Sequence, residues 1–228
     1  MFFPEKIISI KPSDKVLEIG PGANPHKRSD VLLEMKYASD AEYEAQLGHS
    51  GKLISGKEII YYDGEKFPFK DLEFDYIICS HVLEHVDNLE AFFSEIFRVA
   101  PKGYFEYPLI YYEYLYNFNV HKNILKFDGE NLWYLKKENL HLEEFRPVQQ
   151  FFLETLQKGH AKLINDLLPL LMEGFEWNST FQIVRSQNIN DVIWKNYNIP
   201  FSAGNISKTT FVIGYLKKLF GKVNSYYR

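Results

Sequence analysis

The sequence predicts an α/β fold with a doubly wound, mostly parallel sheet. Short apolar segments alternate with turns and helical segments, a pattern typical of parallel strands covered on both faces. Residues 15–35 contain two apolar runs separated by a turn rich in glycine and proline. Residues 74–80 form a continuous apolar run, as expected of a strand buried on both sides. These observations place a parallel sheet in the first half of the chain.

Five parallel strands are expected, at residues 15–19, 31–34, 58–63, 74–80 and 103–107. Residues 88–100 carry apolar side chains at helical spacing and therefore predict a helix. Residues 39–48 predict a second, short helix, because they begin with a capping residue and end with a glycine. The ten residues between Gly20 and Val31 include Pro21 and Pro25. A crossover this short predicts no helix longer than about one turn.

The second half of the chain has a different pattern and is expected to elaborate the same domain. Residues 132–135 and 209–215 predict strands, residues 153–168 predict an amphipathic helix, and residues 176–185 predict an antiparallel strand at the sheet edge. With no repeat or low-complexity linker, we expect one domain over residues 1–228. Its first part, 1–110, would form the ligand-binding core, and residues 111–228 would be the elaborated half.

Composition excludes several function classes. The chain has a net charge of −4 and shows no basic face, which argues against nucleic acid because phosphate binding draws on Lys and Arg. A single cysteine, Cys79, excludes an internal disulfide and a cysteine-based metal cluster. No apolar run is long enough to span a membrane and no signal peptide is recognisable, so a cytoplasmic protein is expected. The basic tail, residues 216–228, leaves open a peripheral contact with a membrane surface.

Polar and glycine residues collect where the predicted strands end. Gly20 and Gly22 follow the first strand and allow the backbone to approach a ligand closely. Glu34 ends the second strand, where an acid is placed to accept hydrogen bonds from ribose hydroxyls. Ligands of open α/β sheets bind outside these strand ends. The sequence therefore predicts a nucleotide-like site at this edge.

Four ordered blocks resemble the class I S-adenosylmethionine-dependent methyltransferases, of the subset whose first motif reads G-x-G-x-N-P. They are residues 15–35, 62–69, 74–81 and 82–86, within roughly residues 10–110. The resemblance implies a Rossmann-like fold and S-adenosyl-L-methionine as the cofactor. The cofactor-binding residues that it implies are Glu18, Gly20, Gly22, Glu34, Asp63, Gly64, Ser80 and His81.

Within that resemblance, each residue has an implied role. Gly20 and Gly22 would face the methionine end of the cofactor, and Glu18 would fix their loop. Asp63 would accept a hydrogen bond from the adenine amino group, with Gly64 beside it. Ser80 and His81 would lie near the sulfonium.

Histidines raise two further questions, catalysis and metal binding. If the acceptor is a hydroxyl, a general base with a pKa near 7 assists, and His81 and His121 are the candidates. His81 and His85 lie one helical turn apart, a spacing that suits zinc, but no third ligand is evident and we expect no metal. The tyrosines of residues 110–118 are interpreted either as walls of an acceptor pocket or as packing residues. Residues 108–123 are expected to fold over the cleft.

The function implied is methyl transfer to a small-molecule, glycan or lipid-linked acceptor, most simply on oxygen. A nicotinamide dehydrogenase fits poorly because Pro25 stands where a third glycine is needed. Residues 80–83, Ser-His-Val-Leu, differ from the Asp/Asn-Pro-Pro-aromatic motif of amino-methylating DNA enzymes, so methylation of a nucleobase is disfavoured. A non-catalytic protein that binds the cofactor stays open, and neither the acceptor nor the oligomeric state follows from the sequence.

Overall fold

A six-stranded sheet forms the centre of the protein in a computed structural model, which describes residues 1–39, 41–42, 44, 56–157 and 167–194. Its strands are β1 (Val16–Ile19), β2 (Val31–Met35), β3 (Glu58–Tyr62), β4 (Tyr76–Ser80), β5 (Gly103–Pro108) and β8 (Met172–Trp177). The strand order is β3-β2-β1-β4-β5-β8. Only β8 runs antiparallel to its neighbour in this sheet. The predicted fold class, a mostly parallel sheet with an antiparallel edge strand, is confirmed.

The order reverses between β1 and β4, which creates the switch point at which such sheets bind ligands. From β1 the chain proceeds outward through β2 and β3, and it then returns to the other side of β1 through β4 and β5. Residues 20–30 contain no helix, so the predicted short crossover is confirmed. It suffices because residues 17–19 pair in parallel register with residues 31–33 directly beside them.

One helix covers the sheet next to the site. Helix α1 (Leu89–Val99) begins at Asn88, whose side chain accepts a hydrogen bond from the Ala91 N–H and so caps the first turn. Its apolar face is buried through Leu89, Phe92, Phe93, Ile96 and Val99. Helix α2 (Ile110–Tyr116) follows β5 directly.

A second, three-stranded sheet contains β6 (Asn123–Phe127), β7 (Asn131–Lys136) and β9 (Gln182–Arg185), in the order β6-β7-β9. Aromatic rings join it to the first sheet: Phe127 stacks on Phe175 of β8 with ring centroids 4.1 Å apart, and Phe181 packs against Phe93 of α1. Much of the high aromatic content therefore fills the interior.

The structure corrects several boundaries in the second half. The single strand predicted for residues 176–185 is two strands, because β8 ends at Trp177 and β9 begins at Gln182 in the other sheet. Helix α3 (Arg146–Gln157) begins seven residues before the predicted start at residue 153. The rest of that predicted helix up to residue 166, the strand 209–215, the tail 216–228 and most of the helix 39–48 lie outside the described residues.

The chain separates into two compact units, Met1–Ile193 and Trp194–Arg228. Both sheets and all the labelled helices belong to the first unit. The single-domain expectation over residues 1–228 therefore stays a prediction.

Candidate active site

A cavity of about 860 Å³ opens at the carboxyl ends of the parallel strands. It lies at the switch point, because Gly20 follows β1 and His81 follows β4, the two strands between which the order reverses. Glu34 and Tyr62 line it from β2 and β3, and Phe92 lines it from α1. The volume is within the range of roughly 300–1,000 Å³ that is usual for small-molecule sites.

The loop after β1 has the backbone conformation that glycine favours. Gly20 and Gly22 line the cavity with φ values of +59° and +58°. A Cβ at Gly20 would lie 2.5 Å from a methyl of Val82, so the site requires glycine there for space as well as for conformation. The Gly20 N–H donates to the Leu33 carbonyl at 2.9 Å, which ties this loop to β2.

Glu18 holds the same loop from beneath. Its carboxylate accepts hydrogen bonds from the His26 N–H at 2.8 Å and from the Ser29 hydroxyl at 2.5 Å. Burial raises the pKa of Glu18 despite these two hydrogen bonds. The residue therefore fixes the return to β2 from below the loop, in keeping with the loop-fixing role that the resemblance implied.

Glu34 contributes a buried acid to the cavity. It is 5% exposed, and the only hydrogen bond that its carboxylate accepts among the described residues is from the Met35 N–H at 2.9 Å. Burial raises its pKa to about 7, because the single backbone hydrogen bond compensates only in part. A carboxylate with free acceptor positions therefore faces the cavity beside the glycine loop.

Of three other predicted cofactor residues, Gly64 lines the cavity, whereas Asp63 and Ser80 are not among its described lining residues. Gly64, with φ +94°, lines the cavity next to Met35. Asp63 is exposed beside it, and its carboxylate accepts the Glu65 N–H at 3.2 Å. Ser80 lies at the end of β4, and its hydroxyl donates a hydrogen bond to Glu106 at 3.1 Å. Ser80 is not among the described residues that line the cavity.

His81 is held between two buried glutamates. Its Nε2 lies 3.0 Å from Glu106 Oε1, and its Nδ1 lies 3.3 Å from Glu84 Oε1, with its backbone at φ +58°. Burial lowers the pKa of His81, but the contacts with Glu106 and Glu84 outweigh burial and raise the pKa to about 9. At neutral pH this side chain is a cation, which makes it a poor proton acceptor.

Glu106 connects His81 to the N-terminal segment. The carboxylate is fully buried and accepts hydrogen bonds from the backbone N–H groups of Phe2 at 2.6 Å and Phe3 at 2.9 Å, and from the Tyr104 hydroxyl at 2.8 Å. The ring of Phe2 meets the His81 ring edge to face at 5.2 Å. Burial opposes ionisation of Glu106, yet the contact with His81 and these donors lower its pKa to about 2. Sequence patterns gave no indication of this anchor.

A second polar cluster lies behind His85, which lines the cavity. The His85 and His121 rings meet edge to face at 4.8 Å, and His121 Nδ1 lies 2.5 Å from Glu113 of α2. Lys137 donates to the other Glu113 oxygen at 2.9 Å. Burial lowers the pKa of His85. His121 therefore lies behind His85 and does not itself line the cavity in the described part of the chain.

The tyrosines of residues 110–118 are mainly packing residues. Tyr112 stacks on Phe118 at 5.5 Å and meets Tyr116 at 4.8 Å, while Tyr111 packs against the core around Ile110. None of these tyrosines lines the cavity in the described structure. Of the segment 108–123, it is Lys122 that reaches the cavity.

Charge in the cavity suits a cationic ligand. The described lining carries five acids, Glu34, Glu42, Glu65, Asp87 and Glu95, and three basic residues, which are Lys66, Lys122 and His81. Carboxylates at close range favour a positive charge electrostatically.

Residues 30–106, from β2 to β5, match the family described as "Methyltransferase domain". The match covers about a third of the chain, and it supports the resemblance to the class I S-adenosylmethionine-dependent methyltransferases that the sequence motifs indicated. The matched segment includes Glu34, Asp63, Ser80 and His81, while Glu18 and the two loop glycines precede it. S-adenosylmethionine is the cofactor of this family.

Among solved structures, this chain is similar to a putative methyltransferase from Bacillus halodurans, at 20% identity and a TM-score of 0.36, covering 49% of this chain and 55% of that one. It is also similar to an S-adenosylmethionine-dependent methyltransferase from Thermotoga maritima, described as a possible histamine N-methyltransferase, at 21% identity and a TM-score of 0.33, covering 46% and 49%. The chain thus spans about half the length of these proteins. No curated protein matches the sequence.

The cavity fits this cofactor. Glu34 offers free acceptor positions for a ribose diol, and Gly20 leaves no room for a Cβ where the backbone borders the cavity. The acidic lining favours a sulfonium over a neutral ligand. None of the helices among the described residues is both long and apolar enough to cross a membrane.

Proposed function

We propose that this chain transfers a methyl group from S-adenosylmethionine to a hydroxyl of a small-molecule, glycan or lipid-linked acceptor. The observation that carries the proposal is the cavity at the switch point, where Gly20, Gly22, Glu34 and His81 converge from separate strand ends. This convergence supports binding of a nucleotide-like cofactor with its reactive end toward β4.

In this proposal, Glu34 accepts hydrogen bonds from the ribose hydroxyls. Gly20 and Gly22 border the methionine end, and Gly64 borders the adenine, with the exposed Asp63 reaching the adenine amino group. Glu18 acts indirectly by holding the loop through the His26 N–H and the Ser29 hydroxyl. Ser80 acts indirectly as well, because its hydroxyl donates to Glu106.

When bound, the cofactor would supply an electrophilic methyl to the acceptor oxygen, and the hydroxyl proton would pass to the base assigned below. The chain's part is mainly positioning and exclusion of water. His81, charged at neutral pH, is suited to orienting the acceptor rather than to taking its proton. Of the two candidate bases, His121 is the one we assign, acting at the His85 side of the cavity.

Calorimetric titration with S-adenosylmethionine tests the cofactor site. We expect a micromolar dissociation constant for the wild type, which corresponds to about −8 kcal/mol. Glu34→Gln should weaken binding by about 1–3 kcal/mol, because ribose hydroxyls lose a charged acceptor. Glu130→Gln is the matched control: Glu130 is exposed and outside the cavity, so its substitution should leave affinity unchanged. No binding at millimolar cofactor contradicts the proposal.

Turnover with labelled cofactor and fractionated acceptor extracts tests the catalytic part. His121→Ala should lower turnover with cofactor affinity nearly unchanged, the pattern of an interaction that acts on the transition state. The control is His141→Ala, since His141 is exposed and pairs only with Glu143 among the described residues. Cofactor binding without methylation in any fraction would support the alternative, a non-catalytic binding protein.

A further inference from the structure

We infer that Glu84, His85 and His121 form a binding site for one divalent transition-metal ion. One ligand atom from each of the three side chains lies within 4.8 Å of the others. The sequence offered no third ligand beside His81 and His85, and the fold supplies it from the segment that follows α2. This inference does not depend on cofactor binding, but it competes with the assignment of His121 as a general base, because a ring nitrogen that binds a metal ion cannot accept a proton.

Both histidines present the correct nitrogen. His85 Nδ1 lies 3.2 Å from the Val120 carbonyl, and a carbonyl only accepts, so Nδ1 carries the proton. His121 Nδ1 likewise lies 2.5 Å from the Glu113 carboxylate, whose second oxygen pairs with Lys137. In each ring the second nitrogen, Nε2, does not take part in this contact. Carboxylate or carbonyl partners on the second ring nitrogen are the usual support of metal-bound histidines.

Glu84 provides the charge. Its side chain is fully buried, and neither carboxylate oxygen accepts a hydrogen bond from any described residue. His81 Nδ1 approaches Oε1 at 3.3 Å as an ion pair without hydrogen-bond geometry, and His85 Nε2 lies 4.0 Å from the same oxygen. A buried carboxylate with so few partners is costly unless a further cation or donor completes its surroundings.

A water molecule does not complete this site. Glu84, His85 and His121 offer three ligand atoms within 4.8 Å of one another, and a water donates only two hydrogen bonds. A cation satisfies all three at once. The site is also next to the cavity, because His85 lines it, so an ion has a route in and keeps an open coordination position.

The backbone holds the two ligand-bearing segments together. The Lys122 N–H donates to the Glu84 carbonyl at 2.6 Å, and the Asn123 side chain donates to the carbonyls of Leu83 at 3.0 Å and Val86 at 2.6 Å. The 3-10 turn Leu83–His85 and the start of β6 are thus fixed before any ion binds.

Two imidazoles and one carboxylate favour zinc and similar ions over magnesium or calcium, which prefer oxygen ligands. With metal–ligand bonds of about 2.0–2.1 Å, ligands around a tetrahedral ion are roughly 3.4 Å apart. The side chains therefore need to move inward by about 1 Å, a shift that side-chain rotation supplies. An ion here polarises water or an acceptor hydroxyl at the open position.

The test is a titration of chelator-treated, full-length protein with Co²⁺, followed by visible absorption. We expect one equivalent to bind, with the absorption of four- or five-coordinate Co²⁺, and Zn²⁺ to displace it. Glu113→Gln should lower affinity by about 10- to 100-fold, because His121 loses its orienting partner. Glu84→Gln and His121→Ala should lower it further.

His141→Ala is the control, and its affinity should equal that of the wild type. Thermal melts in chelator establish that each variant is folded without metal. If Glu84→Gln or His121→Ala does not fold, Glu113→Gln and the Co²⁺ spectrum of the wild type decide the question. Absence of stoichiometric Co²⁺ binding, or full affinity in the folded ligand variants, overturns the inference.

Discussion

Replacing Glu34 by Gln should make the protein more stable at pH 8 and change its stability little at pH 5. Burial raises the pKa of Glu34 from 4.5 to about 7. Since the folded-state pKa exceeds the unfolded one, ionisation costs stability: the cost is absent below pH 4.5, grows between pH 4.5 and 7, and is complete above pH 7. This rise in pKa lowers the free energy of unfolding by about 3 kcal/mol at pH 8 and by less than about 1 kcal/mol at pH 5.

Chemical denaturation of both proteins at the two pH values gives the difference directly. The glutamine oxygen retains the hydrogen bond from the Met35 N–H, so the substitution removes the charge with little other change. Glu130→Gln serves as the exposed control and should show no pH-dependent difference. A Glu34→Gln protein that is no more stable than the wild type at pH 8, or a gain of equal size at pH 5, refutes the reasoning.

Three further predictions concern affinity and packing. If the bound ribose requires ionised Glu34, wild-type affinity for S-adenosylhomocysteine should rise about tenfold from pH 6 to pH 8, and Glu34→Gln should abolish that dependence, as measured by calorimetry. Gly20→Ala should abolish cofactor binding, because its Cβ would lie 2.5 Å from a valine methyl, whereas Gly129→Ala, at φ +104° with nothing within 4 Å, should cost only about 1 kcal/mol in a denaturation assay. Gly174→Ala should destabilise the fold by at least about 2 kcal/mol in the same assay, because its Cβ would lie 2.2 Å from the buried Tyr104 hydroxyl.

The parallel half of the fold could be predicted because its signals are local. Each of the first five strands is a short apolar run that ends in a glycine or a polar residue, and all five were found within two residues of the expected boundaries. The short crossover followed from chain length and two prolines alone. The glycine loop and Glu34 belong to this half, and the structure places them together at one edge.

The second half depends on contacts that are distant in sequence. Strand β6 contains Lys126 between apolar residues and pairs with β7, which in turn pairs with β9 about fifty residues later. A pattern over residues 176–185 does not reveal that the chain changes sheets between Trp177 and Gln182. Phe181, which lies between the two strands, packs against Phe175 of β8 with ring centroids 6.2 Å apart, a contact that the local pattern does not predict.

The polar clusters of the site were missed for the same reason. Glu106 lies inside an apolar strand, and its partners include Phe2 and Phe3, about a hundred residues earlier. The spacing of His81, Glu84 and His85 was visible in the sequence. The third proposed metal ligand, His121, is distant in sequence and is brought to the site only by the fold.

The crystal structure of the complex with S-adenosylhomocysteine tests the central claim most directly. We predict the ribose hydroxyls within hydrogen-bonding distance of the Glu34 carboxylate, the amino-acid end beside Gly20 and Gly22, and the sulfur toward His81. A ligand bound outside this cavity, or bound within it with Glu34 contacting no ribose oxygen, would contradict the account.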